Sequence, residues 1–148
     1  MPRVENTVLV NAPKEKVVEV ARDFEKYPEY MSDLKSLKIT EQSDDHSRVV
    51  AEWAALIPQF KLTIKWTQED IWDEAAQTDR FKQVKGDYDS MAGEWRFIEQ
   101  DSGTRIDSIV DYEYTVPLLG PLVQKVIFNI VKQNLQKSLE AIRVRAEE

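Results

Sequence analysis

Few residues in this chain are suited to metal, redox or nucleophilic chemistry. His46 is the only histidine among the 148 residues, and cysteine is absent. Zinc and redox metals prefer imidazole and thiolate ligands, so this composition predicts no zinc or redox-metal site and no thiol nucleophile. Carboxylate groups alone could still bind Mg²⁺ or Ca²⁺, but no EF-hand spacing is present and we assign no metal-binding residue. His46 lies within the turn-forming run SDDHS at residues 43–47. We therefore interpret it as a solvated turn residue rather than a metal ligand or a catalytic base.

Hydroxyl, amide and carboxyl groups provide the remaining candidates for chemistry. Ser108 shares the inward face of a predicted strand with Tyr112, and Asn6 lies on the corresponding face of the first strand. Either could orient a ligand, although a backbone or water partner explains such residues more simply. In an enzyme, Tyr112, Tyr114 or Glu113 would be the candidates for proton transfer. No serine lies in a nucleophile-elbow sequence, and we assign no catalytic residue.

Aromatic side chains on the inward faces of the predicted strands form the most informative set. They are Trp53, Trp66, Trp95, Tyr112 and Tyr114. Core packing explains each one alone, because aromatic residues bury large areas wherever they lie. As a set they favour the wall of a cavity for a small molecule, since such sites are mostly apolar with a few polar groups.

Charge and composition exclude several classes of partner. Lysine and arginine total 20 against 27 aspartate and glutamate, a formal charge of −7, and the basic residues form no cluster. We therefore expect no nucleic-acid partner. No apolar run approaches the ~18 residues of a membrane-spanning helix, so we expect no stable membrane insertion. The absence of cysteine favours a cytoplasmic location. We also expect no cofactor, and a monomer or a weak homodimer.

The elements that must position these residues begin with a strand and two short helices. Alternation of Val4, Val8 and Val10 with other residues predicts a first strand that ends at Asn11. A helix follows, because an apolar face recurs every three or four residues. Its inward residues are Val17, Val20, Ala21 and Phe24. We expect Pro28 to end this helix just after Tyr27, and a short second helix to cover residues 29–34.

Period-two alternation between turn-forming clusters predicts antiparallel hairpins from there to about residue 115. The inward rows are Val49, Ala51, Trp53, Ala55 and Ile57; Phe60, Leu62, Ile64 and Trp66; Met91, Gly93, Trp95 and Phe97; and Ile106, Ser108, Val110, Tyr112 and Tyr114. The opposite faces are largely polar, so each strand is expected to have one solvated side.

Beyond Pro117 the apolar period returns to that of a helix and predicts the longest element of the chain. Its stripe consists of Leu119, Leu122, Val123, Val126, Ile127, Ile130, Val131, Leu135, Leu139 and Ile142. Only the inner face of the sheet is large enough to cover that stripe. The sequence thus predicts one α+β domain over residues 1–148, in which a curved antiparallel sheet of about seven strands wraps a long C-terminal helix, with two short helices after strand one.

Several segments of the sequence resemble the START-like helix-grip superfamily, and within it the polyketide cyclase/dehydrase and lipid-transport group that includes the coenzyme Q-binding proteins. The segments are NAPKEKV at 11–17, DFEKYPEYM at 23–31, GDY at 86–88, MAGEWRF at 91–97 and YEY at 112–114. The resemblance covers nearly the whole chain. It implies a deep cavity between sheet and helix that binds lipids, quinones, polyketides or other apolar molecules.

Together, the aromatic rows and this resemblance predict a ligand site between sheet and helix. The expected ligand-binding residues are Phe24, Tyr27, Trp53, Phe60, Trp66, Trp95, Phe97, Ser108, Tyr112, Tyr114, Leu119, Val123 and Ile127. A binder or carrier of a hydrophobic molecule is the first hypothesis. A polyketide aromatase/cyclase or dehydratase is the second, and a toxin-like module acting on the ribosome is the third. Residues 118–122 are the candidate gate.

Overall fold

The computed structural model describes residues 2–115 and 120–148, and within them lie seven strands and three α-helices. In chain order these are β1 (Arg3–Val10), α1 (Lys14–Arg22), α2 (Tyr27–Tyr30), β2 (Leu34–Gln42), β3 (Arg48–Ile57), β4 (Leu62–Asp73), β5 (Thr78–Gly86), β6 (Ser90–Gln100), β7 (Gly103–Glu113) and α3 (Pro121–Glu147). Two 3-10 turns, Phe24–Lys26 and Pro58–Phe60, join neighbouring elements.

The strands form one antiparallel sheet in the order β1-β7-β6-β5-β4-β3-β2. Strands β2 to β7 are consecutive hairpins, and β1 adds to the outer side of β7. The alternating pattern of β1 buries Val4, Asn6, Val8 and Val10 on the face that α3 covers. The predicted α+β architecture, a curved seven-stranded sheet against a long C-terminal helix, is confirmed.

The first helix ends earlier than the position of Pro28 predicts. Helix α1 stops at Arg22, because Asp23 has a ψ of 68° and leaves helical geometry. Pro28 instead lies in the first turn of α2, where a backbone N–H would have no acceptor within the helix, so proline loses no hydrogen bond there. The second helix is therefore Tyr27–Tyr30, and Leu34 already belongs to β2.

Phe60 does not belong to β4, although the alternation predicted it there. Pro58 starts a 3-10 turn and Lys61 has a left-handed φ of 50°, so the chain reverses before β4 starts at Leu62. Proline favours such a turn because its φ is fixed and it lacks an N–H for the sheet. As a result Phe60 is 42% exposed.

The buried stripe of α3 is narrower than the predicted one. Its buried residues are Ile127, Ile130, Leu139, Ile142 and Ala146. By contrast, Leu122 is 80% exposed and Val126 is 46% exposed. A helix that packs against a sheet on one side leaves the flanks of a wide apolar stripe in solvent.

Gly86 at the end of β5 is expected to be intolerant of a side chain. Its φ is +150°, and a Cβ there would lie 2.5 Å from the Cα of Trp66. We expect Gly86→Ala to lower the free energy of unfolding by about 2 kcal/mol in urea titrations, since strained backbone costs roughly 1–3 kcal/mol. Gly120→Ala is the control, because a Cβ there meets no atom within 4 Å among the described residues. Equal losses in the two variants would contradict this account.

Candidate functional site

A cavity of about 760 Å³ lies between the inner face of the sheet and α3. Its walls come from the inward rows of β3 to β7, from the segment that links α1 to β2, and from the second half of α3. Strand β1 and helix α1 pack closely against α3, whereas β3 and β4 meet α3 mainly at Ile57 and Ile64, which pack with Ile130. The cavity therefore occupies the side of the sheet that α3 does not fill.

Stacked and edge-to-face aromatic rings form one wall of the cavity. Trp53 and Trp66 are direct neighbours in the β3–β4 register, and their rings stack with centroids 5.8 Å apart and an interplanar angle of 12°. Phe24 and Tyr27 meet Trp53 edge to face, with centroid distances of 5.7 Å and 6.0 Å. The Tyr27 hydroxyl donates to the carbonyl of Ala21, which fixes that ring. The wall is thus a packed cluster.

Six of the thirteen predicted ligand-binding residues lie at the cavity wall. They are Phe24, Tyr27, Trp53, Trp66, Trp95 and Tyr112. The structure thereby brings together aromatic residues from the segment after α1 and from strands β3, β4, β6 and β7. Their part in binding a ligand stays a prediction.

The other predicted residues lie elsewhere. Phe97 stacks on Trp72 with a centroid distance of 5.9 Å, away from the cavity. The remaining core members, Ser108, Tyr114, Val123 and Ile127, are buried or half-buried beside the cavity without lining it. Phe60 is in the exposed turn described above. Leu119 lies outside the described residues.

The exposed members of the lining mark the mouth of the cavity. They are Ser32 on the segment before β2 and Gln133, Lys137 and Val144 on α3. The Nζ of Lys137 lies 3.2 Å from Oδ2 of Asp33, so an ion pair joins the two sides. In the predicted gate, residues 118 and 119 lie outside the described part, and Gly120–Leu122 do not line the cavity. The mouth lies instead beside the middle of α3.

Two buried carboxyl groups lie in the cavity wall. Asp70 on β4 is 1% exposed and Asp79 on β5 is 3% exposed. A row of hydrogen bonds along β4 leads to them. The Nε1–H of Trp66 donates to Oε1 of Gln68 at 2.9 Å, and Nε2 of Gln68 donates to Oδ1 of Asp70 at 2.8 Å. The carboxyl groups of Asp70 and Asp79 then hydrogen-bond to each other.

This carboxyl pair holds a proton near neutral pH. Burial raises the pKa of Asp70 to about 6, and hydrogen bonds from Asp79 and Gln68 oppose that rise. Burial also raises the pKa of Asp79 well above its ordinary value, and the negative charge of Asp70 adds to the increase. Two carboxylates in contact cannot both ionise readily, so the pair shares one proton and carries one negative charge.

Sequence reasoning missed this pair, although one half of it carried a signal. The alternation that ends at Trp66 in the sequence prediction continues through Gln68, Asp70 and Trp72, all of which are buried. Extending the same period by three positions would have placed a carboxyl group on the inward face. Asp79 follows the turn after β4, and only the strand register places it opposite Trp72.

Several polar atoms of lining residues have no hydrogen-bond partner within residues 2–115 and 120–148. They are Oη of Tyr30, Nε1 of Trp53, Oδ1 of Asp79, Nε1 of Trp95 and Oη of Tyr112. Burial raises the pKa of Tyr112, so its hydroxyl stays protonated. No group of three or more His, Asp or Glu in this part of the chain is arranged to hold a metal ion. His46 is exposed in its turn.

Comparison with known protein families shows which family the chain belongs to. The model of the family described as polyketide cyclase / dehydrase and lipid transport matches residues 10–138. The chain belongs to this family. The match runs from the end of β1 into α3 and includes β2 to β7 and the part of α3 up to Ser138. A comparison with curated proteins finds no significant match.

Solved structures from several organisms share the fold of this member of the polyketide cyclase/dehydrase and lipid-transport family. TTHA0849 from Thermus thermophilus is 28% identical with a TM-score of 0.91, over 98% of this chain and 97% of that one. The Zhui aromatase/cyclase from Streptomyces sp. R1128 is 23% identical with a TM-score of 0.87, over 99% and 93%. A STAR-related lipid transfer protein from Xanthomonas axonopodis is 16% identical with a TM-score of 0.78, over 97% and 85%. The START-like helix-grip fold is confirmed.

The described residues contain no helix that is both long enough and apolar enough to cross a membrane.

Proposed function

We propose that this protein binds a hydrophobic small molecule with an aromatic or fused-ring body between its sheet and α3. The cavity of about 760 Å³ with an aromatic wall carries the proposal. Its size falls within the ~300–1,000 Å³ of small-molecule sites, which are likewise mostly apolar with a few polar groups. Lipids, quinones and polyketides with ring systems all fall within this class.

The free-energy cost of an empty cavity of this size supports a bound ligand. Unfilled apolar space costs roughly 24 cal/mol per Å³, so a sealed void of this size would cost on the order of 18 kcal/mol, more than the typical ~5–15 kcal/mol stability of a domain. The space must therefore admit solvent or a ligand. Because the surface of its wall is chiefly apolar, an apolar ligand is favoured over water there. The stacked Trp53–Trp66 pair offers flat ring surfaces for it.

A polyketide cyclase or dehydratase is the second candidate, and the buried carboxyl pair favours it. Glu113 is exposed and Tyr114 does not line the cavity, so neither reaches a ligand there. Asp70 and Asp79 do line it, and one carries a proton while the other carries the charge. A general acid and a general base side by side are what removal of water from a β-hydroxy ketone requires. The aromatase/cyclase neighbour shares the fold that would present them.

Native mass spectrometry of protein purified from its own host tests the first candidate. We expect a complex with an apolar compound, and solvent extraction should release that compound. If none co-purifies, the protein is titrated with lipids, quinones and fused-ring aromatics, and failure to bind any of them would contradict the proposal. Loss of water from an added aromatic β-hydroxy ketone, abolished in Asp70→Asn, would identify the enzyme instead of the carrier. The cytoplasmic location and the monomer or weak homodimer stay predictions.

A further inference from the structure

The carboxyl pair has more hydrogen-bond acceptors than its surroundings supply donors. Two carboxyl groups that share one proton present four oxygens with about seven acceptor sites. Among the described residues, two hydrogen-bond donors reach the pair. One is the side-chain amide of Gln68, which donates to Asp70, and the other is the proton that the two carboxyl groups share. Asp79 Oδ1 accepts from no N–H or hydroxyl donor in the same part of the chain. The pair thus keeps unused acceptor capacity in the wall of an apolar cavity.

No cation directly neutralises the pair within the described residues. Arg22 is the cation whose charge lowers the pKa of Asp79. Its guanidinium is engaged elsewhere, because it donates to the carbonyl of His46 at 2.7 Å and lies 5.1 Å from the ring centre of Trp72. The negative charge of the pair consequently faces the cavity without a positively charged partner in contact.

We propose that Asp70 and Asp79 form the polar subsite of the cavity and select ring-shaped ligands that carry a hydroxyl group. A hydroxyl donates to an unused acceptor and gains a hydrogen bond to a charged group, which is stronger than a neutral one. A hydrocarbon leaves those acceptors unfilled. A ligand carboxylate meets a like charge in a poorly solvated site, where repulsion is strong.

The position of the pair fits a flat ligand. Gln68 and Asp70 follow Trp66 along the inward face of β4, so the polar subsite continues the Trp53–Trp66 surface. A ring system lying on that surface can direct a hydroxyl along the strand toward Asp70 and Asp79. The unpartnered hydroxyl of Tyr112, a residue only 1% exposed, lines the same cavity and adds a second hydrogen-bonding group.

Three matched probes test this subsite, which rests on the proposed binding function. Equilibrium dialysis compares naphthalene, 2-naphthol and 2-naphthoate, which share one ring body. We expect 2-naphthol to bind about tenfold more tightly than naphthalene, the effect of one charged hydrogen bond, and 2-naphthoate to bind more weakly than either. If none of the three binds, the proposed function fails. If all three bind with equal affinity, the proposed binding function is retained and the proposed polar subsite is refuted.

Variants of Asp70 and Asp79 test whether these two residues cause the preference for 2-naphthol. In D70V/D79V we expect naphthalene to bind as in the wild type, while the preference for 2-naphthol is lost. The D70N/D79N variant keeps the shape of the subsite and removes its negative charge. In this variant we expect the affinity for 2-naphthoate to rise close to that for naphthalene. This result can be measured even if the valine variant folds poorly. Glu113→Gln, which changes an exposed carboxylate on β7, is the control and should retain the wild-type order. Retention of the 2-naphthol preference in D70V/D79V would overturn the proposal.

Discussion

Ala55→Trp is expected to weaken the binding of 2-naphthol about a hundredfold while the protein stays folded. Ala55 lines the cavity between Trp53 and Ile57 on β3, so an indole at this position projects into the space proposed for the ligand. If the indole displaces roughly 100–120 Å² of apolar ligand contact at ~25 cal/mol per Å², the loss is about 3 kcal/mol, or about a hundredfold in Kd. Calorimetric titration of both proteins measures it.

A tryptophan on the other face of the same strand controls for indirect effects. Glu52 is exposed and points away from the cavity, so Glu52→Trp adds an equal side chain without occupying the site. We expect wild-type affinity in this variant. Thermal unfolding should show that Ala55→Trp is at least as stable as Glu52→Trp, because its indole is buried against aromatic neighbours. Equal affinities in the two variants would place the ligand outside the cavity.

Asp70→Asn is expected to raise the free energy of unfolding at about pH 8 by about 3 kcal/mol and to have little effect near pH 4. The folded protein holds the Asp70 proton with a pKa of about 6, against an ordinary value of 3.8. The folded state therefore binds the proton more tightly than the unfolded chain does. The contribution of Asp70 to the stability of the wild type is fully present below about pH 4 and is lost as the pH rises through 6. At about 1.4 kcal/mol per pKa unit, this difference gives the expected 3 kcal/mol.

Asparagine at position 70 relieves this loss because it removes the buried carboxyl group whose pKa is raised, and its side-chain N–H can donate to the Asp79 carboxyl group. The other charged or titratable groups around the pair, Glu69, Arg22 and Tyr27, are the same in both proteins. Urea unfolding across this pH range measures the difference, with Glu113→Gln as the control for an exposed carboxylate. A variant less stable than wild type at pH 8, or a difference that does not change with pH, would contradict the shared-proton pair.

Periodicity in the sequence was sufficient to predict the fold. The alternation in β3, β6 and β7 and the helical period of α3 each reflect one face turned to the core. The structure orients the strand faces as predicted, and on α3 it buries a narrower stripe that excludes Leu122 and Val126. Local backbone geometry was harder to predict. The apolar character of Phe60 suggested an inward position, whereas Pro58 and the left-handed Lys61 turn the chain before β4 begins.

The site was predicted in its apolar part and missed in its polar part. Trp53 and Trp66 carry the alternation signal, so their inward position follows from sequence. Asp70 and Asp79 contradict the usual rule that carboxyl groups face solvent, and their proximity depends on the β4–β5 register. The position of the cavity mouth depends on how α3 meets the segment before β2, which no local pattern in the sequence encodes.

The crystal structure of the protein grown with 2-naphthol tests the central claim most directly. We predict ring-shaped density between the Trp53–Trp66 surface and α3, with its hydroxyl oxygen within hydrogen-bonding distance of the Asp70 or Asp79 carboxyl group. Side chains of the sheet and the helix that interlock across this region, with the naphthol absent or bound only at the outer surface, would contradict the account.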